Sequence, residues 1–452
     1  MNNQDRRNTG EPDPETAAQF KALIEQSSLG GELAQAMRKR ISAEDGQRLA
    51  ARAEETINTD TPEPPIPADG GGPAQWRRRN LVFIQSAAAA VVLILTLAVV
   101  LLGGHQPTHP ADFAGPEGPT VVVWIPPAAS RHTIADILRQ QGVVASSAAF
   151  DLAVQHDPAF GPLPAGYYAV PSHSSADAAA ATLVGGHARV GNVVIDEGRA
   201  LLDEIDENTD DLKEGIYHKI AEASCIRLGA RASCLTYEQL MAAGATDPEA
   251  LGVPAWALAQ VRAAPDRGRA LEGLIAAGSW DFDPTASPQQ VIKELVTKSI
   301  ASYEASGLLR AGASNGLTPY ETLIAASLVE RESLPLDMSK VARVILNRIK
   351  VDQPLNFDST VNYGLARTEV ATTGDERTHR TPWNTYAMTG LPVTPIAAFS
   401  PQALHAMENP TPGDWLYFVT IDKQGTTLFT DTYAEYLHDV DIARQSGMLP
   451  SN

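Results

Sequence analysis

The longest apolar segment of the chain runs from Leu81 to Leu102 and carries no charged residue. Its 22 residues would form a helix of about 33 Å, which is enough to cross the hydrocarbon core of a membrane, about 30 Å thick. The arginines 77–79 lie directly before the segment, whereas the next basic residue after it is Arg131. Because positive charge stays on the cytoplasmic side, the pattern predicts one transmembrane helix over residues 81–102, with its N-terminal side in the cytoplasm.

Two segments with little hydrophobic patterning flank this helix. Residues 1–80 end in the Pro- and Gly-rich run TPEPPIPADGGGP, which favours neither helix nor strand. We therefore predict a largely disordered cytoplasmic tail. Residues 103–119 are again rich in Gly and Pro, so they are interpreted as a spacer that leads into an extracytoplasmic region.

A small α+β unit is predicted over residues 120–198. The β-branched run TVVVWIP, which begins at Thr120, indicates a strand, and GYYAVP, which begins at Gly166, indicates a second one. Between them, helical spacing of apolar residues follows Thr133 and recurs over residues 150–154. The order strand, helix, helix, strand resembles a LysM-like glycan-binding fold.

The remaining chain divides into a helical connecting region, residues 199–310, and a domain over residues 311–452. In the second of these, Thr318 and Glu321 form a capping box with Pro319 at the first helical position. The helix ETLIAASLVERESL follows, and a second helix, SKVARVILNRIK, comes directly after it. Together with the first unit, this pattern predicts an α+β fold class.

Composition narrows the functional classes. The chain has 35 Lys and Arg against 54 Asp and Glu, a formal net charge of −19, so it lacks the basic surface that a nucleic-acid-binding protein needs. Ten histidines are scattered without a metal-ligand spacing, and the two cysteines are too few for a zinc site. We therefore expect neither a metal nor a nucleic-acid partner.

Cys225 and Cys234 lie in the predicted extracytoplasmic region, where disulfides persist. We predict that they form a disulfide across this short loop. Two buried free thiols are the alternative.

The helix that follows Thr318 places one carboxyl group beside its apolar face. At about 100° per residue, Glu330 falls about 20° from Leu323 at the edge of this face, whereas Glu332 falls about 180° away, toward the predicted solvent side. Partial desolvation raises the pKa of a carboxyl group toward the range of a general acid. Glu330 is therefore the candidate acid, and an ion pair with a nearby arginine is the alternative.

In the next helix, Arg348 shares a stripe with Val341, Val344 and Ile345. A buried charge without a partner is costly. The pattern thus predicts either a structural ion pair or a contact with an anionic or hydroxyl-rich ligand.

Five segments that carry the resemblance to a known family occur in order over about a hundred residues. They are AASLVERES (325–333), VARVILNRIK (341–350), LNFDSTVNYG (355–364), TPWNTYAMTGLPVTPIA (381–397) and PGDWLYFV (412–419). Together they resemble the endolytic murein transglycosylase (YceG-like) family. The resemblance extends less tightly upstream to the region near Pro126 and includes the single membrane anchor. It does not include the cytoplasmic tail.

The resemblance implies a function and a set of site residues. Members cleave the MurNAc–GlcNAc β-1,4 bond of peptidoglycan without water and leave 1,6-anhydro-MurNAc ends. The implied partners are nascent glycan strands, the bacterial cell membrane and peptidoglycan synthases or division proteins, and no cofactor is implied. The catalytic glutamate is carried over to Glu330, with Glu332 as the second choice. The implied substrate-binding or supporting residues are Arg348, Asp358, Thr360, Asn384 and Tyr386.

The chain departs from the family pattern in LEGLIAAGSWDFDP (271–284), where Glu272 and Gly273 match but the following aromatic-Pro-Asp core is replaced. We therefore expect that edge of the cleft to bind sugar differently. Two other functions stay open from the sequence. One is an inactive wall-binding or scaffold protein, and the other is a hydrolytic muramidase with Asp358 as its base.

Overall fold

A computed structural model of the chain describes residues 109–155, 157, 160–206, 209–228, 231–368, 372 and 374–449. The predicted transmembrane segment, residues 81–102, and the predicted tail, residues 1–80, lie outside the described residues. Within the described part of the chain, no helix is both long enough and apolar enough to span a membrane.

Short strands and helices alternate along the described residues. The strands β1 to β12 are Thr120–Ile125, Gly166–Pro171, Arg189–Val190, Asn192–Ile195, Glu204–Asp206, Asp211–Lys213, Ile226–Leu228, Arg231–Ser233, Gly278–Asp281, Arg367–Thr368, Tyr417–Thr420 and Thr427–Thr430. The helices α1 to α14 are Arg131–Gln140, Ser147–Gln155, Ala176–Val184, Ile216–Ala223, Tyr237–Gly244, Ala255–Ala263, Pro288–Ser306, Leu308–Asn315, Pro319–Glu332, Met338–Lys350, Asp358–Leu365, Gly374–Thr378, Pro401–Glu408 and Tyr433–Gln445. This mixture of helices and small, mostly antiparallel sheets agrees with the predicted α+β class.

The first unit contains the four elements that the sequence predicts. Strands β1 and β2 pair antiparallel from Thr120 opposite Pro171 to Ile125 opposite Gly166, and β3 extends the sheet. Helices α1 and α2 lie between β1 and β2 in the chain, and Phe150 is one of the buried residues in the core that they form with the sheet. The order strand, helix, helix, strand is therefore confirmed, while the likeness to LysM stays a prediction.

A second and larger core extends from Val193 to Met407. Helix α9 lies within it, and every residue from Thr322 to Glu330 is buried. The capping box at its start is present, because the Glu321 amide donates to Thr318 Oγ1 at 3.2 Å and the Thr318 amide donates to Glu321 Oε2 at 2.7 Å. Extended backbone at Ser333 ends the helix two residues before Pro335.

The connecting region differs from its prediction, because residues 199–310 contain short strands as well as helices. Strands β5, β6, β7 and β8 are each three residues long, which is too short for an alternating pattern to stand out. Strand β5 pairs in parallel with β10, which lies far along the chain. Such a pairing depends on tertiary structure and leaves no local trace in the sequence.

Cys225 and Cys234 form a disulfide across the β7–β8 hairpin. Both cysteines are exposed, so the alternative of two buried thiols is wrong. The crosslink closes the hairpin at the surface.

Glu272 joins two distant segments inside the larger core. The Leu201 amide donates to its two carboxylate oxygens at 3.0 and 3.1 Å, and the Tyr363 hydroxyl donates to it at 2.9 Å. Burial raises the pKa of Glu272 to about 7, although both hydrogen bonds act to lower it. Gly273 has a φ of +72°, and a Cβ there would lie 2.5 Å from the Pro395 side chain. The Glu-Gly pair is therefore part of the buried core, and the expectation that this segment alters sugar binding stays a prediction.

Replacement of both Cys225 and Cys234 by serine should lower the free energy of unfolding by about 2–3 kcal/mol, because a crosslink over about ten residues restricts the unfolded chain. Denaturant titration with and without a reductant measures the effect. Reduction should bring the wild type to the stability of the variant and leave the variant unchanged. Equal stability of the oxidised and reduced wild type would contradict the prediction.

Glu272→Gln should flatten the dependence of stability on pH. The pKa of about 7 in the folded state lies above the ordinary value of 4.5, so ionisation favours the unfolded chain. The wild type should therefore lose up to about 3 kcal/mol of unfolding free energy as the pH rises from about 4.5 to about 7. Denaturant titrations at pH 5 and pH 8 should show a smaller loss in the variant, and parallel losses in the two proteins would refute this assignment.

Candidate active site

Glu332 is the last residue of α9 and its side chain lies at the boundary between core and solvent. It is partly exposed, and its Oε1 accepts a hydrogen bond from Ser359 Oγ in the first turn of α11. Burial and, to a smaller extent, the nearby charge of Asp358 raise the pKa of Glu332 to about 7 against the opposing effect of its hydrogen bonds with Ser359. A carboxyl group with this pKa can donate and recover a proton near neutral pH.

Glu330 points into the protein. Its side chain is 4% exposed, and its Oε2 accepts hydrogen bonds from the Ser400 amide at 3.0 Å and the Ser400 hydroxyl at 2.6 Å. Ser400 also caps α13, since its hydroxyl accepts from the Ala403 amide at 3.0 Å. Glu330 therefore fastens α9 to the N-terminus of another helix, where a negative charge is favourable.

Glu332 is more exposed than Glu330, as the helical wheel predicts, but its carboxyl group is still desolvated. The helical wheel treats one face of α9 as apolar, but α9 is buried around most of its circumference. Helix α11 lies beside its last turn and supplies the Ser359 partner. The helical-wheel argument for preferring Glu330 over Glu332 therefore fails, because both carboxyl groups are desolvated and Glu332 is the more accessible of the two. The assignment of the catalytic glutamate to Glu330 by resemblance stays a prediction.

Asp358 lies next to Ser359 and is held by three donors. Its carboxylate accepts from Thr372 Oγ1 at 2.7 Å, from the Tyr386 hydroxyl at 2.7 Å and from Arg377 at 3.0 and 3.2 Å. Burial raises the pKa of Asp358, but the three sets of hydrogen bonds outweigh burial and the net shift is downward. Asp358 is thus a fixed negative charge beside Glu332.

Tyr386 and Arg348 complete this polar cluster. Burial and the bond to Asp358 raise the pKa of Tyr386, so its hydroxyl stays protonated and donates. Arg348 is 7% exposed and donates to the carbonyl oxygens of Leu416, at 2.6 Å, and Leu355. The sequence predicts an ion pair or a ligand for Arg348, but its hydrogen-bond partners are two backbone carbonyl groups.

Thr360 and Asn384 are buried, with exposures of 0% and 1%. Thr360 Oγ1 accepts from the Thr385 amide at 3.1 Å. Asn384 donates to the carbonyls of Arg377 at 3.0 Å and His379 at 2.6 Å, and it accepts from the Tyr386 amide at 2.8 Å. The sequence left two roles open for these residues, substrate binding and structural support. Their burial and hydrogen bonds agree with structural support of the surrounding loop and not with direct contact with a ligand.

Sequence reasoning missed Ser359, Thr372 and Arg377. Ser359 is adjacent to Asp358 within a matched segment, so its position could have drawn attention to it. Arg377 and Thr372 lie outside the matched segments, and only the folded chain brings them to Asp358.

In the described residues, one group of side chains has the spacing of metal ligands, namely Glu214, His218 and Glu222 on and beside α4. The Lys219 ammonium contacts both glutamates, at 3.1 Å for Glu222, and His218 contacts Asp203 at 3.1 Å. The Lys219 ammonium group already supplies positive charge between the two glutamates, so we do not assign a metal to this group of side chains.

Comparisons with known proteins agree with the motif resemblance. A curated relative, the endolytic murein transglycosylase of Bacillus subtilis (strain 168), is 31% identical over 170 residues, which is 37% of this chain and 46% of the relative. The match thus spans about half the length of that relative. The crystal structure of a YceG-like protein from Listeria monocytogenes is similar with a TM-score of 0.41 and 23% identity, and the match covers 71% of this chain and 98% of that chain. The model of the YceG-like family matches residues 123–442, well over half of the chain, and the protein therefore belongs to the YceG-like family.

Proposed function

We propose that the protein is a peptidoglycan lytic transglycosylase that cleaves the MurNAc–GlcNAc β-1,4 bond within nascent glycan strands and forms 1,6-anhydro-MurNAc ends. Such cleavage would end strand elongation. Family membership and the name of the Bacillus subtilis relative support the reaction class. The observation that carries the proposal is the partly exposed carboxyl group of Glu332, with a pKa of about 7 beside the ionised Asp358.

Glu332 serves as the acid in the first step. Protonated Glu332 donates its proton to the glycosidic oxygen as the bond to the MurNAc anomeric carbon breaks. The oxygen of the 2-acetamido group of the same sugar stabilises the positive charge that develops at that carbon. A pKa near the working pH suits this role, because an appreciable fraction of the enzyme then carries the proton.

Glu332 serves as the base in the second step. The carboxylate accepts the proton of the MurNAc C6 hydroxyl, and the C6 oxygen forms a bond to the anomeric carbon. This closes the anhydro ring, releases the acetamido oxygen and returns Glu332 to its protonated state. The reaction needs no water and no cofactor.

The environment of Asp358 favours this route over hydrolysis. A hydrolase generally uses a second carboxylate as base or nucleophile. Asp358 is close enough to Glu332 to raise its pKa, but three donors hold the Asp358 oxygens and the pKa of Asp358 itself is lowered. These bonds make it a weak base and a poor nucleophile, so we assign Asp358 to electrostatic support of Glu332.

Digestion of uncrosslinked glycan strands followed by mass analysis of the ends tests the proposal. Anhydro ends support the transglycosylase, reducing ends would indicate a muramidase, and intact strands would indicate an inactive wall-binding or scaffold protein. The partly exposed carboxyl group of Glu332, with its raised pKa, favours an active enzyme over the scaffold.

We further propose that residues 81–102 anchor the chain in the bacterial cell membrane with the site outside the cytoplasm. The substrate lies on that side, which fits this orientation. The unit over residues 120–198 would contact glycan as a LysM-like module does, and peptidoglycan synthases or division proteins are the proposed protein partners.

Glu332→Gln should reduce the rate of strand cleavage at least about 10²–10⁴-fold, because the amide neither delivers nor recovers the proton. Glu330→Gln is the matched control and should keep most of the activity, since glutamine still accepts from Ser400, with a loss of about 1–2 kcal/mol in stability. In the wild type, kcat should fall as the pH rises through about 7, where Glu332 loses its proton. The rate of appearance of anhydro ends measures each effect.

The reverse ranking, with Glu330→Gln inactive and Glu332→Gln near the wild-type rate, would move the acid to Glu330. Cleavage by both variants would exclude a mechanism with a single carboxyl group from α9.

A topology assay tests the membrane orientation. A reporter fused after Asn452 should be active only outside the cytoplasm, and one fused before Met1 only inside. Replacement of residues 77–79 by glutamate should produce mixed orientation, since these arginines set it. An unchanged orientation in that variant would show that another feature dominates.

A further inference from the structure

Three tyrosines lie together where the β11–β12 hairpin meets the last helix. Tyr417 begins β11, and Tyr433 and Tyr436 lie in the first turn of α14. The ring centroid of Tyr417 is 5.7 Å from that of Tyr433 and 5.2 Å from that of Tyr436, and the latter two are 6.0 Å apart. We call these three residues the tyrosine shelf.

The shelf is open to solvent. Tyr433 is 58% exposed, and Tyr417 and Tyr436 are each partly exposed. The rings of the neighbouring pair Phe357 and Phe418 pack against the core instead. An aromatic cluster that remains accessible is a common feature of binding surfaces, because a ring offers a rigid apolar face together with a polar hydroxyl edge.

One arginine is a neighbour of both the shelf and Glu332. The Arg348 guanidinium lies 5.6 Å from the centre of the Tyr417 ring. Burial lowers the pKa of Arg348, and Tyr436, Tyr417 and Glu332 all lie close enough to oppose that shift.

A second arginine connects the shelf with the other carboxylate. Arg377 binds Asp358 at 3.0 Å and lies 4.9 Å from the centre of the Tyr386 ring. Tyr436 is close enough to Arg377 to help raise its pKa. Arg348 thus neighbours both the tyrosine shelf and Glu332, and Arg377 neighbours both the shelf and Asp358.

We propose that the tyrosine shelf is a sugar-binding subsite, in which the apolar face of a pyranose ring of the glycan strand packs on Tyr433 and its hydroxyl groups meet the polar edge formed by the neighbouring tyrosines. The inference rests on the proposed function for the identity of the polymer. The occupant is a saccharide because its C–H face matches an exposed ring and its hydroxyl edge matches phenol groups. Arg348, which contacts Tyr417 and lies close to Glu332, associates this sugar with the strand that is cleaved.

A subsite of this kind contributes equally to binding of the substrate and of the transition state. Its loss should raise KM and leave kcat nearly unchanged. This separates the shelf from the residues that act on the proton, whose loss lowers kcat.

The test measures affinity and kinetics in the full chain. Binding of uncrosslinked glycan strands is measured in Glu332→Gln protein, which holds the polymer without cleaving it, with and without Tyr433→Ala. Tyr433→Ala should weaken binding about tenfold, equivalent to about 1.4 kcal/mol, and should raise KM by a similar factor in the active enzyme. Tyr433→Phe keeps the ring and should restore binding to within about twofold of that of the intact shelf. Leu309→Ala removes another exposed apolar side chain, 51% exposed on α8, and should leave both quantities unchanged.

The outcomes separate the shelf from the proposed reaction. Wild-type affinity and KM in Tyr433→Ala would overturn the subsite while cleavage by the wild type still supported the transglycosylase. Binding that depends on Tyr433 in a chain that never cleaves strands would support the subsite and overturn the reaction. Failure of the Glu332→Gln chain to bind strands at all would overturn the subsite. A lower kcat with unchanged KM in Tyr433→Ala would also overturn it.

Discussion

The candidate site depends on the burial of one helix, Pro319–Glu332, around almost its whole circumference. Every side chain from Thr322 to Glu330 is buried, so a carboxyl group within that stretch must find a partner inside the protein, as Glu330 does with Ser400. Extended backbone at Ser333 stops the helix where it reaches the surface. Glu332, as the last helical residue, is therefore the carboxyl group that meets both the core and the solvent, and partial desolvation there raises its pKa.

The two acidic residues of the cluster have opposite environments. Glu332 accepts hydrogen bonds from Ser359, and burial raises its pKa to about 7. Asp358 receives hydrogen bonds from an arginine, a threonine and a tyrosine, and its pKa is lowered. Because the pKa values of the two neighbouring carboxyl groups are shifted in opposite directions, one acid can stay protonated while the other is ionised at the same pH. The charge of Asp358 in turn raises the pKa of Glu332, so the two environments reinforce each other.

Much of the polar chemistry near the site supports backbone geometry. Asn384 joins the carbonyls of Arg377 and His379 to the amide of Tyr386. Because Arg377 and Tyr386 both bind Asp358, the buried amide sets the positions of two donors without contacting solvent. Buried polar groups of this kind need all their hydrogen bonds, which explains why these matched segments contain so many small polar side chains.

The sequence by itself determined the local elements and the family. The capping box at Thr318, the helix that follows it and the strand, helix, helix, strand order of the first unit all depend on contacts within a few residues, and each is present. The choice between Glu330 and Glu332 could not be made in this way. A helical wheel assigns one side of a helix to solvent. On that side of α9, however, Glu332 contacts Ser359 of α11, which lies 27 residues further along the chain. Likewise, only tertiary structure brings Arg377 and Thr372 to Asp358, because desolvation and hydrogen bonding depend on neighbours in space and not on neighbours in the chain.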